Sequence, residues 1–129
     1  MTLPDDLEDW LTNEGDRVVT QMADSDGTPI SEFDRAVFEI WVLDTETRNG
    51  GVSQYFANRG LSRWHSLAQA AVTHNLPSLR EFISAANIVV EGATTDLYDA
   101  VVCSDTDLDD IYKRLQTVIV AELRQVTMA

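Results

Sequence analysis

Glu46-Thr47-Arg48-Asn49-Gly50-Gly51-Val52-Ser53-Gln54-Tyr55-Phe56-Ala57-Asn58 is the stretch that decides how this chain folds. Asn-Gly-Gly closes a helix, because glycine enters the left-handed backbone region at little steric cost. Upstream of it, Phe33, Val37, Ile40 and Trp41 recur at helical spacing. Ser31 stands before them, with Asp34 three residues on as an imperfect capping box. The pattern predicts a helix from Ser31 to Asn49. Downstream, Val52, Tyr55 and Phe56 predict a short helix that ends near Asn58 to Gly60.

The same periodicity extends in both directions. Pro4 suits a first helical turn, and Asp5, Asp6, Glu8 and Asp9 complement the positive end of the helix dipole. Leu7, Trp10, Leu11, Val18 and Met22 give that first helix an apolar stripe, which should stop before the Asp26-Gly27 turn. After Gly60, Ser62 can cap a helix carrying Trp64, Leu67, Ala68 and Ala71. Asn75-Leu76-Pro77 should break it and open another, with Leu79, Phe82, Ile83, Ala86 and Val90, ending at Gly92. Thr95 can cap a sixth helix with Leu97, Val101 and Val102. Asp105 or Asp107 can cap the last, whose stripe is Leu108, Ile111, Leu115, Val118, Ile119 and Leu123. No alternating strand pattern occurs. The expected fold is therefore all-α: a single compact domain, residues 1–129, of about six to seven helices.

Asp44 follows Trp41 by three residues and Ile40 by four, so it continues an apolar helix face. A carboxylate there sits at the rim of the core or is buried with a partner. Glu46 and Asn49 are expected to bond free backbone amides around the Gly50-Gly51 turn.

This corner resembles the signature of the bacterial DNA-mimic protein family: a glutamate (Glu46), an Asn49-Gly50-Gly51 turn, then Gln54, the aromatics Tyr55 and Phe56, and Asn58. Val52 stands where the family usually has an aromatic, and Tyr55 where phenylalanine is common; both stay apolar or aromatic. Leu108-Asp109-Asp110-Ile111-Tyr112 resembles the family's late Leu-Asp-x-x-Tyr stretch. The likeness covers roughly residues 32–125. It implies an all-α fold and an activity of mimicry, in which an acidic face imitates duplex phosphates and occupies the DNA-binding surface of a helix-turn-helix repressor. It implies a structural role for the signature residues, and it does not transfer the mimicking acids by position.

Composition supports that expectation from a different direction. The formal net charge is −13. Nucleic acids and anionic membranes are therefore disfavoured as direct partners, and basic proteins are favoured. The charge is uneven. Residues 1–46 hold thirteen acids against Arg17 and Arg35, whereas residues 47–95 hold only Glu81 and Glu91 against four arginines. Adaptation to salt is the competing explanation, since Lys113 is the sole lysine.

No chemistry-bearing constellation is complete. His65 and His74 do not share a helical face, and Cys103 lies in an apolar run that reads as a buried thiol. Asp105-Thr106-Asp107-Leu108-Asp109 begins like a calcium loop but has Asp110 where glycine belongs and Gln116 where glutamate belongs. No cofactor, metal or catalytic residue is expected. The absence of a membrane span or signal-like segment makes the cytoplasm the expected compartment. The candidate face comprises Asp5, Asp6, Glu8, Asp9, Glu14 and Asp16 on the first helix, with Glu32, Asp34 and Glu39 on the second. The expected partner is a basic, DNA-binding protein, met as a monomer or homodimer. The alternatives are an immunity or antitoxin-like protein neutralising a basic toxin, and a hydrolase or metal-dependent enzyme using Asp44, Glu46, Asn49 and Gln54.

Overall fold

A computed structural model describes residues 3–24, 30–92 and 105–128. Among these there is no strand, and there are four helices: α1 (Asp5–Asp24), α2 (Glu32–Thr73), α3 (Pro77–Gly92) and α4 (Asp105–Met128). The all-α expectation holds. Six to seven helices were expected, and the main difference lies in α2. Its backbone leaves helical geometry only at Gly50, Gly51 and Gly60, where φ is +82° at Gly51 and +72° at Gly60. The run breaks direction at Gly50-Gly51 and again at Gly60, and helical geometry resumes at Val52 and at Leu61. The three helices expected over this stretch are three arms of one element. The expected sixth helix and Cys103 lie outside the described residues, as does the Asp26-Gly27 turn.

Local chemistry explains the boundaries. Ser31 caps α2, its hydroxyl accepting from the Asp34 amide at 3.1 Å. Asn75 takes a positive φ of 50° after the last arm, a conformation asparagine tolerates, and Pro77 then opens α3. Glu122 of α4 accepts from the Ser78 amide and hydroxyl, at 3.1 and 2.6 Å, and so satisfies a free donor of the first turn of α3.

α2 is central and packs against α1, α3 and α4. At its bends the chain folds back, so that Arg63 reaches Glu39 and the His74 ring reaches the Glu32 carbonyl. The core gathers Leu7, Leu11, Val37, Ile40, Leu43, Leu67, Leu79, Ile119 and Leu123, all buried. A run of aromatic edge contacts crosses it: Tyr55 on Phe56 and Trp64, Trp64 on Phe82, and Phe82 on Tyr112. The indole of Trp64 donates to Asn87 at 2.8 Å, so no polar atom of that ring is left bare. Two expected stripe residues are on the surface: Met22 is 39% exposed and Val118 45%. Tyr112 and Val120 fill α4's buried face where Val118 was expected.

α1 lies very close to α2. A Cβ on Gly15 would stand 2.5 Å from the Trp41 ring. Glycine in mid-helix costs about 1 kcal/mol against alanine. Here it lets the indole seat directly on the α1 backbone.

Candidate protein-binding face

The nine acids of the candidate face do not share one environment. Glu39 is 0% exposed and Asp34 8%, so neither belongs to an open surface. Helix geometry explains this correction. Asp34 falls two turns before Trp41 on the side that meets α1, and Glu39 faces the returning arm of α2. Asp6, Glu8 and Glu14 are tied to arginines: Asp6 to Arg124 at 3.4 Å, Glu8 to Arg48 at 2.5 Å, and Glu14 to Arg17 at 2.8 Å. Glu32 is exposed at the start of α2, beside a surface cavity.

That leaves Asp5, Asp9 and Asp16. All are exposed, and among the described residues none makes an ion pair or side-chain hydrogen bond. At 100° per residue they lie within about 40° of one another around α1, opposite Leu7, Leu11 and Val18. Their axial separations are about 6 and about 10 Å. One strand of duplex DNA carries a charge about every 3.4 Å of axis, so the stripe matches roughly every second to third phosphate. Asp24 is also exposed and continues the helix on its far end.

The stripe is negative because the bases are drawn away from it. Arg17 is the sole base on α1, and it turns towards Asp34 at 2.7 Å and Glu14. The hydrogen bonds to Asp34 and Glu14 hold its proton more firmly than usual. Arg48, Arg59, Arg63, Arg114 and Arg124 are likewise engaged by acids.

The Gly50-Gly51 corner meets expectation at Asp44, which is buried with partners, and departs from it at Glu46 and Asn49. Asp44 is 2% exposed and accepts from the Tyr112 hydroxyl at 2.6 Å, Gln116 Nε2 at 2.7 Å and Arg48 at 3.3 Å. Burial, then the Asp44 charge, pushes the Tyr112 hydroxyl well above its ordinary pKa. Arg48 also bonds Glu8, so one network joins α1, α2 and α4. Glu46 accepts from Asn58 at 2.7 Å rather than from the turn's amides. The free amide after the turn, at Val52, is taken by Asp109 of α4 at 2.8 Å. Asn49 is exposed. Gln54 folds back over Gly50, where a Cβ would collide with its amide oxygen.

The two sequence motifs therefore interlock: Asp109 and Tyr112 of the late stretch bond the Asp44-to-Val52 corner. Gly15 and the Asp109 cap were missed by sequence reasoning. An Asp in the first turn of α4 reads as a cap for its own helix, and only the fold points it elsewhere. Among the described residues no group of three or more His, Cys, Asp or Glu side chains could hold a metal ion. No helix among them is long and apolar enough to cross a membrane.

No curated protein and no solved structure matches the chain. A family does. The match spans residues 28–123, from the approach to α2 into the last turns of α4, and leaves α1 outside it. It takes in both motifs and the contacts that join them, and by that span the chain belongs to the DMP19-like protein family.

Proposed function

We propose that this protein is a DNA mimic. Its α1 face occupies the DNA-binding surface of a basic nucleic-acid-binding protein, a transcription regulator by class, and it acts by binding rather than catalysis. The observation that carries the reading is the Asp5, Asp9 and Asp16 stripe, exposed and with no base opposite it. Family membership supports the mimic role. The stripe itself belongs to α1, outside the matched residues 28–123.

The physics of such a contact is specific. Carboxylates fixed on a stiff helix keep their spacing without further ordering, and opposite charge speeds encounter with a cationic partner. Exposed charges are screened over about 8 Å at physiological ionic strength. The test is to immobilise the chain, capture binding proteins at low salt, and challenge them with duplex DNA of random sequence. Release by duplex DNA and steep weakening with added salt are expected. Partners that stay bound through both would refute the proposal.

A further inference from the structure

Between the first and last arms of α2 there is a cavity of 320 Å³, on a face not used by the α1 stripe. Its existence follows from the sequence. Ala70 provides a small, buried floor where a larger side chain would fill the space. Ser66, Gln69 and Thr73, at helical spacing on the last arm, line one wall. Arg35 and Glu32 line the other. The end is fixed by His74, whose ring donates to the Glu32 carbonyl at 3.2 Å and meets Phe33 edge-on.

Arg35 is the unusual member. In a chain of charge −13, six other arginines are held by carboxylates, and Arg80 bonds Asn75. Arg35 makes no side-chain hydrogen bond or ion pair among the described residues. Its guanidinium offers a planar fork suited to a carboxylate. Glu32, one turn earlier, offers the opposite charge. The hydroxyl and amide groups of Ser66, Gln69 and Thr73 line the facing wall. A net anion would be opposed by the field of the whole molecule, whereas a molecule with balanced charges would not.

We infer that this cavity is a binding site for a small zwitterion of the α-amino acid class, with Arg35 holding the carboxylate and Glu32 the ammonium. The volume lies at the lower end of the range for small-molecule sites. The site is independent of the α1 stripe, so it stands or falls separately from mimicry.

The test uses the full chain and a panel of the free α-amino acids at millimolar concentration. Saturation-transfer NMR finds binders, and calorimetry measures them. At least one amino acid should bind saturably. Arg35→Ala should weaken it about tenfold or more, as expected for loss of a charge-assisted bond. Glu32→Gln should weaken it too. Arg35 has no side-chain hydrogen bond or ion pair to lose among the described residues, only a longer-range attraction to Glu39, so the variant should fold, which far-ultraviolet circular dichroism checks. No saturable binding by any member of the panel overturns the inference, and so does binding untouched by Arg35→Ala. Propionate binding as tightly as the best amino acid would remove Glu32 from the site and overturn the zwitterion assignment.

Discussion

Glu39→Gln should stabilise this protein at alkaline pH and change little at mildly acidic pH. Glu39 is 0% exposed, and neither carboxyl oxygen has a hydrogen bond. Arg63 Nε lies 3.1 Å from one oxygen, close enough for charge attraction but off the line of a hydrogen bond. Arg35 and Arg59 also face the group, as does the buried, unpaired hydroxyl of Tyr55, whose own pKa burial and the Glu39 charge raise. Burial outweighs the three arginines and lifts the carboxyl from 4.5 to about 7. The folded state therefore holds this proton more tightly than the unfolded chain does. Its stabilising contribution is fully present below pH 4.5 and is lost as pH rises through about 7. A rise of that size corresponds to about 3 kcal/mol. That is a large part of a typical domain stability of roughly 5–15 kcal/mol. The glutamine keeps the shape and cannot ionise, and Arg63, partly exposed, stays hydrated. Urea unfolding of both proteins at about pH 5 and about pH 8 measures the effect, and the chain's general self-repulsion is nearly common to both. The stability of the Glu39→Gln variant relative to the unaltered protein should rise by about 2–3 kcal/mol between the two conditions. A difference that stays constant, or shrinks as pH rises, would refute the reasoning.

Other substitutions probe separate joints. Asp109→Ala removes the cap on the Val52 amide and should cost about 1 kcal/mol in urea unfolding. Tyr112→Phe removes a donor to the buried Asp44 carboxylate, which keeps Gln116 and Arg48, and should cost about 2 kcal/mol by the same assay. Gly15→Ala favours an isolated helix yet drives a methyl into the Trp41 ring; the clash should win, costing about 1–3 kcal/mol and shifting Trp fluorescence.

Much of the fold was legible because periodicity and punctuation agree. The apolar spacing placed α1, α3 and α4, and Ser31, Asn75 and Pro77 marked ends that the structure keeps. Helix number was less legible. A glycine with positive φ can end a helix or merely bend it, and the choice at Gly51 and Gly60 depends on tertiary packing that a local pattern does not carry. The candidate face was partly legible. Asp5, Asp9 and Asp16 stay open, but Asp34 and Glu39 do not, because which side of α2 is covered depends on where α1 and the returning arm dock. Arginine placement was invisible for the same reason. Arg48 finds Glu8 forty residues away in sequence and Arg63 finds Glu39 across the bend. A net charge counted along the chain thus overstates some acids and understates the stripe of Asp5, Asp9 and Asp16, which no base answers.

Whether arrangement or mere acidity drives recognition is open to a direct comparison. One variant carries Asp5→Asn, Asp9→Asn and Asp16→Asn; another carries Glu81→Gln, Asp107→Asn and Asp110→Asn, an equal change in charge placed on α3 and α4. Affinity for the captured partner, measured for both at one ionic strength, should collapse in the first and stay near that of the unaltered chain in the second. Equal losses in the two would contradict the account, leaving bulk negative charge rather than a fixed helical array as what the partner meets.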